Sequence, residues 1–162
     1  MNIFFKEHHD ILQALLQHGV DFILIGGYAV NYYGYNRSTG DMDIWISPDN
    51  QNKELLLRAL TSLGFDEEGI NTIGEWDFSH PQKFHIGSDR QPDKTEFMTH
   101  ISGVKYGVAK ENRIYADIGG LLLPIIHYNN LIQNKRSTGR TKDMVDVEYL
   151  EKIVHLKNKF GK

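Results

Sequence analysis

The feature that most constrains this chain is an apolar run that ends in two glycines and is followed, a short segment later, by a second apolar run carrying two aspartates. Phe22-Ile23-Leu24-Ile25 leads into Gly26-Gly27, and Asp41-Met42-Asp43-Ile44-Trp45-Ile46 follows. A short apolar run stopped by a Gly-Gly turn reads as a buried strand. Side chains alternate along a strand, so Asp41 and Asp43 project to one side while Met42 and Ile44 point to the other. Two carboxylates on one strand face, beside a glycine turn, suit a divalent metal ion that carries phosphate oxygens. Glycine also lets a backbone approach a ligand closely, and the free N–H groups of a following helix attract anions.

Composition narrows the class. The chain has 162 residues, 40% hydrophobic and 24% charged, as expected of a globular protein with one ordinary core. Its formal charge of −3 argues against a surface coated for nonspecific nucleic-acid binding. There is no cysteine, which excludes disulfides and thiolate zinc sites. No run approaches the ~20 apolar residues of a membrane span, and the N-terminus lacks a signal-peptide core. The expectation is a cytoplasmic protein of one domain over 1–162, with a core over 20–126 and C-terminal helices over 127–162.

Along the chain, Phe4, His8, Ile11, Leu12, Leu15 and Leu16 recur at helical spacing, and Gly19 is a stop. His8 and His9 diverge by about 100° on a helix, which disfavours a shared metal ion. Asp49 or Asn50 caps a helix over 53–63 that buries Leu55, Leu56, Ala59, Leu60 and Leu63. Residues 65–93 read as short strands, clearest at Lys83–Ile86, with Asp66-Glu67-Glu68 as a solvated acidic turn and 89–93 as a polar turn. A strand over 94–101 carries Glu96, an unexpected charge beside Thr95, Phe97 and Met98. Strands over 112–118 and 121–126 flank Gly119-Gly120, a hairpin signal, with Asp117 as a turn residue. A helix begins at Asn129 or Asn130, residues 136–141 form a loop, and a last helix covers 142–157 with Met144, Val147, Leu150 and Val154 on one side. Asp143 and Asp146 lie three apart on that helix and are expected to pair with Arg140, Lys142 or the first-strand region.

Three blocks, 22–46, 94–108 and 131–150, carry a family resemblance. Gly26-Gly27, a short helix, Arg37-Ser38-Thr39 and Asp41-x-Asp43, then Glu96 with Ile101-Ser102-Gly103-Val104-Lys105-Tyr106, then Leu131-Ile132-x-x-Lys135 with Gly139-Arg140-x-Lys142-Asp143-x-x-Asp146, resemble the polymerase-beta-like nucleotidyltransferases. The chain is most similar to the small bacterial branch that includes abortive-infection toxins. The resemblance implies an α+β fold, a mixed β-sheet flanked by helices with a helical C-terminal segment. It implies Mg²⁺-dependent (or Mn²⁺-dependent) transfer of a nucleoside monophosphate from a nucleoside triphosphate to an acceptor hydroxyl on RNA such as tRNA, a protein or a small molecule. Asp41, Asp43 and Glu96 would be the catalytic and metal-binding carboxylates. Gly26, Gly27, Arg37, Ser38, Thr39, Lys135, Arg140 and Lys142 would bind the nucleotide. The family usually shows aspartate where this chain has Glu96, whose extra methylene moves the carboxylate by about 1.5 Å. A toxin–antitoxin or phage-defence setting, with an antitoxin or other partner protein, is also implied.

Rival readings remain open at the level of the residues. An Asp-x-Asp can be an exposed strand edge, Arg37 can merely pair with those aspartates, and the C-terminal Lys and Arg residues can be a charged helix cap and solvated face. The chain can also be an inactive nucleotidyltransferase-like binding or partner protein. A metal-dependent phosphate hydrolase is disfavoured by the lack of a histidine cluster near the aspartates.

Overall fold

The computed structural model of the protein describes residues 5–37, 40–87 and 94–161. In chain order it forms α1 (Lys6–Gln17), β1 (Phe22–Ile25), α2 (Gly26–Tyr32), β2 (Met42–Ile46), α3 (Asn50–Ser62), α4 (Glu67–Gly74), β3 (Lys83–Ile86), β4 (Thr95–Met98), α5 (Tyr106–Asn112), β5 (Ile114–Ile118), β6 (Leu121–Ile125), α6 (Tyr128–Thr138) and α7 (Thr141–Lys159). The strands make one mixed sheet in the order β3-β4-β2-β1-β6-β5. The outer hairpins, β3–β4 and β5–β6, are antiparallel, as is β1–β2. The joins β2–β4 and β1–β6 are parallel. The expected α+β fold, a mixed sheet flanked by helices, is the one observed.

The sheet is buried because its central strands are apolar on both faces. All of β1 is buried, and Met42, Ile44, Trp45 and Ile46 of β2 are at most 1% exposed. Trp45 sits edge-on to Tyr106 of α5 and donates its indole N–H to the Thr99 carbonyl, so a helix covers that face of β2 just past Asp43. Phe97 of β4 stacks on Phe84 of β3 and extends the core outward. The β5–β6 hairpin closes through Gly119 and Gly120, both at positive φ (61° and 83°), a turn conformation that suits glycine.

Several local expectations need correction. Leu16 is exposed while Leu15 is buried, because neighbours on a helix point about 100° apart. The acidic stretch at 66–68 is a helix start: the Asp66 side chain accepts from the Gly69 N–H, and Glu67 and Glu68 occupy the first turn of α4, where the helix dipole favours anions. The 94–101 strand ends at Met98. Residues 106–112, no element of which was expected before 112, form α5, and Asp117 pairs within β5 instead of turning. The helix α6 starts from His127, whose ring accepts from the Asn129 N–H, and runs through Arg136, Ser137 and Thr138, leaving a shorter loop than expected. The polar turn expected at 89–93 lies outside the described residues.

The two histidines of α1 have separate partners. Buried His8 meets the Tyr28 hydroxyl at 2.7 Å, while His9 lies 3.2 Å from the Gly119 carbonyl. Tyr33 donates to the Ile126 carbonyl, and Tyr35 stacks on Tyr149 of α7 at 4.4 Å. Three of the four clustered tyrosines (Tyr28, Tyr33 and Tyr35) thus brace the short helix α2 and its exit against the rest of the chain. Among the described residues, no helix is long and apolar enough to cross a membrane.

Asp49 sets the start of α3. Its carboxylate accepts the Asn52 N–H at 2.7 Å and the Ser47 hydroxyl at 2.9 Å. Asp49→Ala is expected to lower stability by about 1 kcal/mol, the usual worth of an N-cap. Urea denaturation should show this as a lower midpoint with an unchanged m-value.

Candidate active site

The sheet ladder brings the sequence-separated acids together. Ile25, the last residue of β1, pairs with Asp43, and Asp43 pairs on its other side with Glu96 of β4. Asp43 is therefore flanked by the β1–α2 turn and by a second carboxylate. Asp41 precedes β2 by one residue, at the mouth of the same cleft. Asp41, Asp43, Glu96, Gly26 and Gly27 all line one cavity of about 900 Å³.

Gly26 is required by this arrangement. Its φ is +68°, and a Cβ built there would stand 2.1 Å from Asp43 Oδ2 and 2.9 Å from its Cγ. The aspartate occupies the space that any side chain at position 26 would need.

Three acids in one cleft repel one another, and their charges separate accordingly. Burial, then Glu96 and Asp41, push Asp43 up to about 6. Burial also acts to raise Glu96, but Lys83 and Lys94 outweigh it and hold that carboxyl below its usual value. Lys94 Nζ lies 3.4 Å from Glu96 Oε1 and 3.8 Å from Asp41 Oδ2, and Lys83 Nζ lies 3.5 Å from Glu96 Oε2. Lys142 partly offsets the load on Asp43. Sequence reasoning missed both Lys83 and Lys94. The available signal was spacing: Lys94 and Glu96 are two apart on one strand and so share a face.

The cavity is also lined by cations, held by an ionic network built on the buried Asp143 and Asp146. Arg37 donates through Nε and Nη2 to both oxygens of Asp146, at 2.8 and 3.0 Å. Lys135 of α6 donates to Asp143 at 3.0 Å and lies 2.9 Å from Asp146. Arg140 and the Thr138 hydroxyl donate to the other oxygen of Asp143, at 2.7 and 2.6 Å. Burial acts to raise Asp143, but Thr138, Lys135 and Arg140 outweigh it and hold its carboxyl at about 2. Asp143 and Asp146 thus pair with Arg140 as expected and with Lys135 and Arg37, which were not the expected partners. Arg37, Lys135, Arg140 and Lys142 all line the cavity. Lys135 is 6% exposed at its side chain, so it acts on the cavity as a fixed charge. Arg140 is 65% exposed while its Nε stays bound to Asp143. Ser38 and Thr39 lie outside the described residues.

The donor chemistry fits Mg²⁺ or Mn²⁺. Among the described residues no three His, Cys, Asp or Glu side chains are gathered tightly enough to hold a metal ion by themselves. Such an ion instead keeps waters and phosphate oxygens in its shell and takes one or two carboxylates from the protein. Asp41 and Asp43, oxygen donors beside a cavity rimmed with cations, meet that requirement.

Two outcomes follow from this geometry. Gly26→Ala is expected to destabilise the fold by at least about 1–2 kcal/mol, the usual left-handed backbone penalty, with steric overlap added. Adding Asp43→Ala opens the space the new methyl needs, so the double variant should lose less than the sum of the singles in a denaturation cycle. The second concerns pH. A carboxyl raised from 3.8 to about 6 on folding burdens the metal-free fold when ionised, above about pH 6, and is relieved as it protonates below that. Asp43→Asn should be more stable than the parent at pH 8 by on the order of 2 kcal/mol, and the gap should close as pH falls from 6 to 4. Chelator-treated protein, melted across that range, is the measurement.

No family model matches the chain, and no curated protein does. Two solved structures resemble it over nearly their whole length. One is the lincosamide antibiotic adenylyltransferase LnuA in its lincomycin-bound form, with a TM-score of 0.58 at 16% identity, covering 93% of this chain and 98% of that one. The other is a candidate nucleotidyltransferase from Thermotoga maritima, with a TM-score of 0.56 at 14% identity, covering 95% of this chain and 96% of that one. At these identities the likeness concerns architecture: the chain has the fold of these nucleotidyltransferase structures.

Proposed function

We propose that this protein is a nucleotidyltransferase that moves a nucleoside monophosphate from a nucleoside triphosphate to an acceptor hydroxyl, with Asp41 and Asp43 holding Mg²⁺ or Mn²⁺. The observation that carries this reading is the ladder Ile25–Asp43–Glu96, which sets the carboxylates beside Gly26 in a cavity also lined by Arg37, Lys135, Arg140 and Lys142. A bound divalent ion would supply Lewis-acid stabilisation of charge on the transferring phosphoryl group. Gly26 and Gly27 offer backbone N–H groups to the phosphates. The cations that line the cavity neutralise phosphate charge. Glu96, kept ionised by its lysines, takes the proton from the acceptor hydroxyl as it attacks the α-phosphorus; the bond to the bridging oxygen breaks and pyrophosphate leaves.

For the acceptor, the lincomycin-bound neighbour supports a small hydroxyl compound over tRNA or protein. A toxin–antitoxin or phage-defence role with a partner protein, in the cytoplasm, rests on the sequence resemblance. A second reading, an inactive scaffold of the same fold, draws support from one observation: Lys83 and Lys94 both engage Glu96.

The test is transfer of α-labelled nucleotide from each triphosphate into a bacterial extract holding RNA, protein and small molecules. Asp41→Asn and Asp43→Asn should each abolish labelling, and the double variant should be little worse than either, because groups that act as a unit are not additive. Glu96→Gln should keep nucleotide affinity and lose about 10²–10⁴ in rate. Wild-type protein that binds triphosphate yet labels nothing would favour the scaffold.

A further inference from the structure

The transfer reading uses Lys94 only to keep Glu96 ionised, yet its placement reaches a second carboxylate. Its backbone is pinned to the neighbouring strand, because its carbonyl accepts the Met42 N–H at 2.9 Å. Its side chain is 15% exposed, and its ammonium stands 3.8 Å from Asp41 and 3.4 Å from Glu96, both of which line the cavity. Lys83, which also meets Glu96, is 64% exposed and comes from the outer strand β3. Lys94 is therefore the better-fixed cation among the carboxylates. We propose that Lys94 is the built-in second cation of this site, standing between Asp41 and Glu96 so that the chain takes one divalent ion, on Asp41 and Asp43, in place of two. The inference rests on the nucleotidyl-transfer reading, and the test below separates the two.

Charge and geometry both support this assignment. A pair of divalent ions in a phosphoryl-transfer site stands about 3.5–4 Å apart and shares carboxylates between them. Here the oxygens available to a second ion, on Asp41 and Glu96, already face an ammonium within ion-pair distance. Three ammonium groups offset the three carboxylates: Lys83 and Lys94 stand against Glu96 and Asp41, and Lys142 acts on Asp43. One divalent ion then makes the site net positive. A lysine ammonium supplies positive charge on a covalent tether and makes no demand for an octahedral shell. Glu96, freed from a metal, keeps the lone pairs that a general base needs.

The experiment counts Mn²⁺ bound per chain by equilibrium dialysis. The full-length protein is saturated with an adenosine triphosphate analogue bearing a methylene bridge between the α and β phosphates. Wild type should hold one ion per chain, Lys94→Met two, and Lys94→Arg one. Removing the ammonium should also tighten Mn²⁺ binding by about tenfold, as expected for a like charge this close. Lys94→Gln replaces Lys94→Met should circular dichroism show that the latter does not fold. Two ions on the wild-type chain would overturn the lysine assignment and leave the transfer reading standing. One ion on both wild type and the neutral variants would also overturn it. No ion on wild type or any variant would overturn both.

Discussion

Like-charge repulsion at the end of a sheet is the constraint on which this site depends. Backbone pairing places Asp43 between Ile25 and Glu96, and the strand period puts Asp41 on the same side. Asp43 and Glu96 are held in place by the strand ladder and by apolar neighbours such as Met42, Ile44 and Phe97. The repulsion is met in two ways. Asp43 binds its proton more tightly, and Glu96 is surrounded by lysines. The result is a cleft in which one acid is pushed up and another is held below its usual value, a separation common where acids must do different chemistry.

The network of Arg37, Asp146, Lys135, Asp143 and Arg140 holds the cations that line that cleft. It ties the segment leading into β2 to α6 and α7, elements far away in sequence. Buried ion pairs are weak evidence for net stability, because desolvation consumes much of the Coulomb gain. Their geometric effect is clearer. A bidentate arginine and a buried lysine tie the helix pair to the segment before β2, and with it the cationic part of the cavity lining. The two aspartates thus keep the cations in place while leaving Lys142 and Arg140 toward the cavity.

The glycine at 26 links both features. It lets the chain reverse from β1 into α2 in a left-handed conformation, and it leaves room for the Asp43 carboxylate. The same turn carries the backbone that faces the cavity. A single residue type therefore serves the fold and the cleft together.

The sequence by itself determined whatever depends on near neighbours. The strand at Phe22–Ile25, the glycine turn, the shared face of Asp41 and Asp43, the cap at Asp49 and the Gly119-Gly120 hairpin all follow from local periodicity and backbone sterics. The acidic stretch at 66–68 was misread because a capping aspartate and a solvated turn have the same composition; what distinguishes them is the helix that follows. The pairing of β4 with β2 in parallel, which sets Glu96 against Asp43 and brings Lys94 beside them, joins residues more than fifty positions apart. Only the tertiary structure decided it. The same holds for Lys135 and Arg37 meeting Asp146. Charges of opposite sign are many in this chain, and no local rule selects a partner. Partners are chosen when apolar burial has placed the elements, after which the buried charges must find one another or leave the interior.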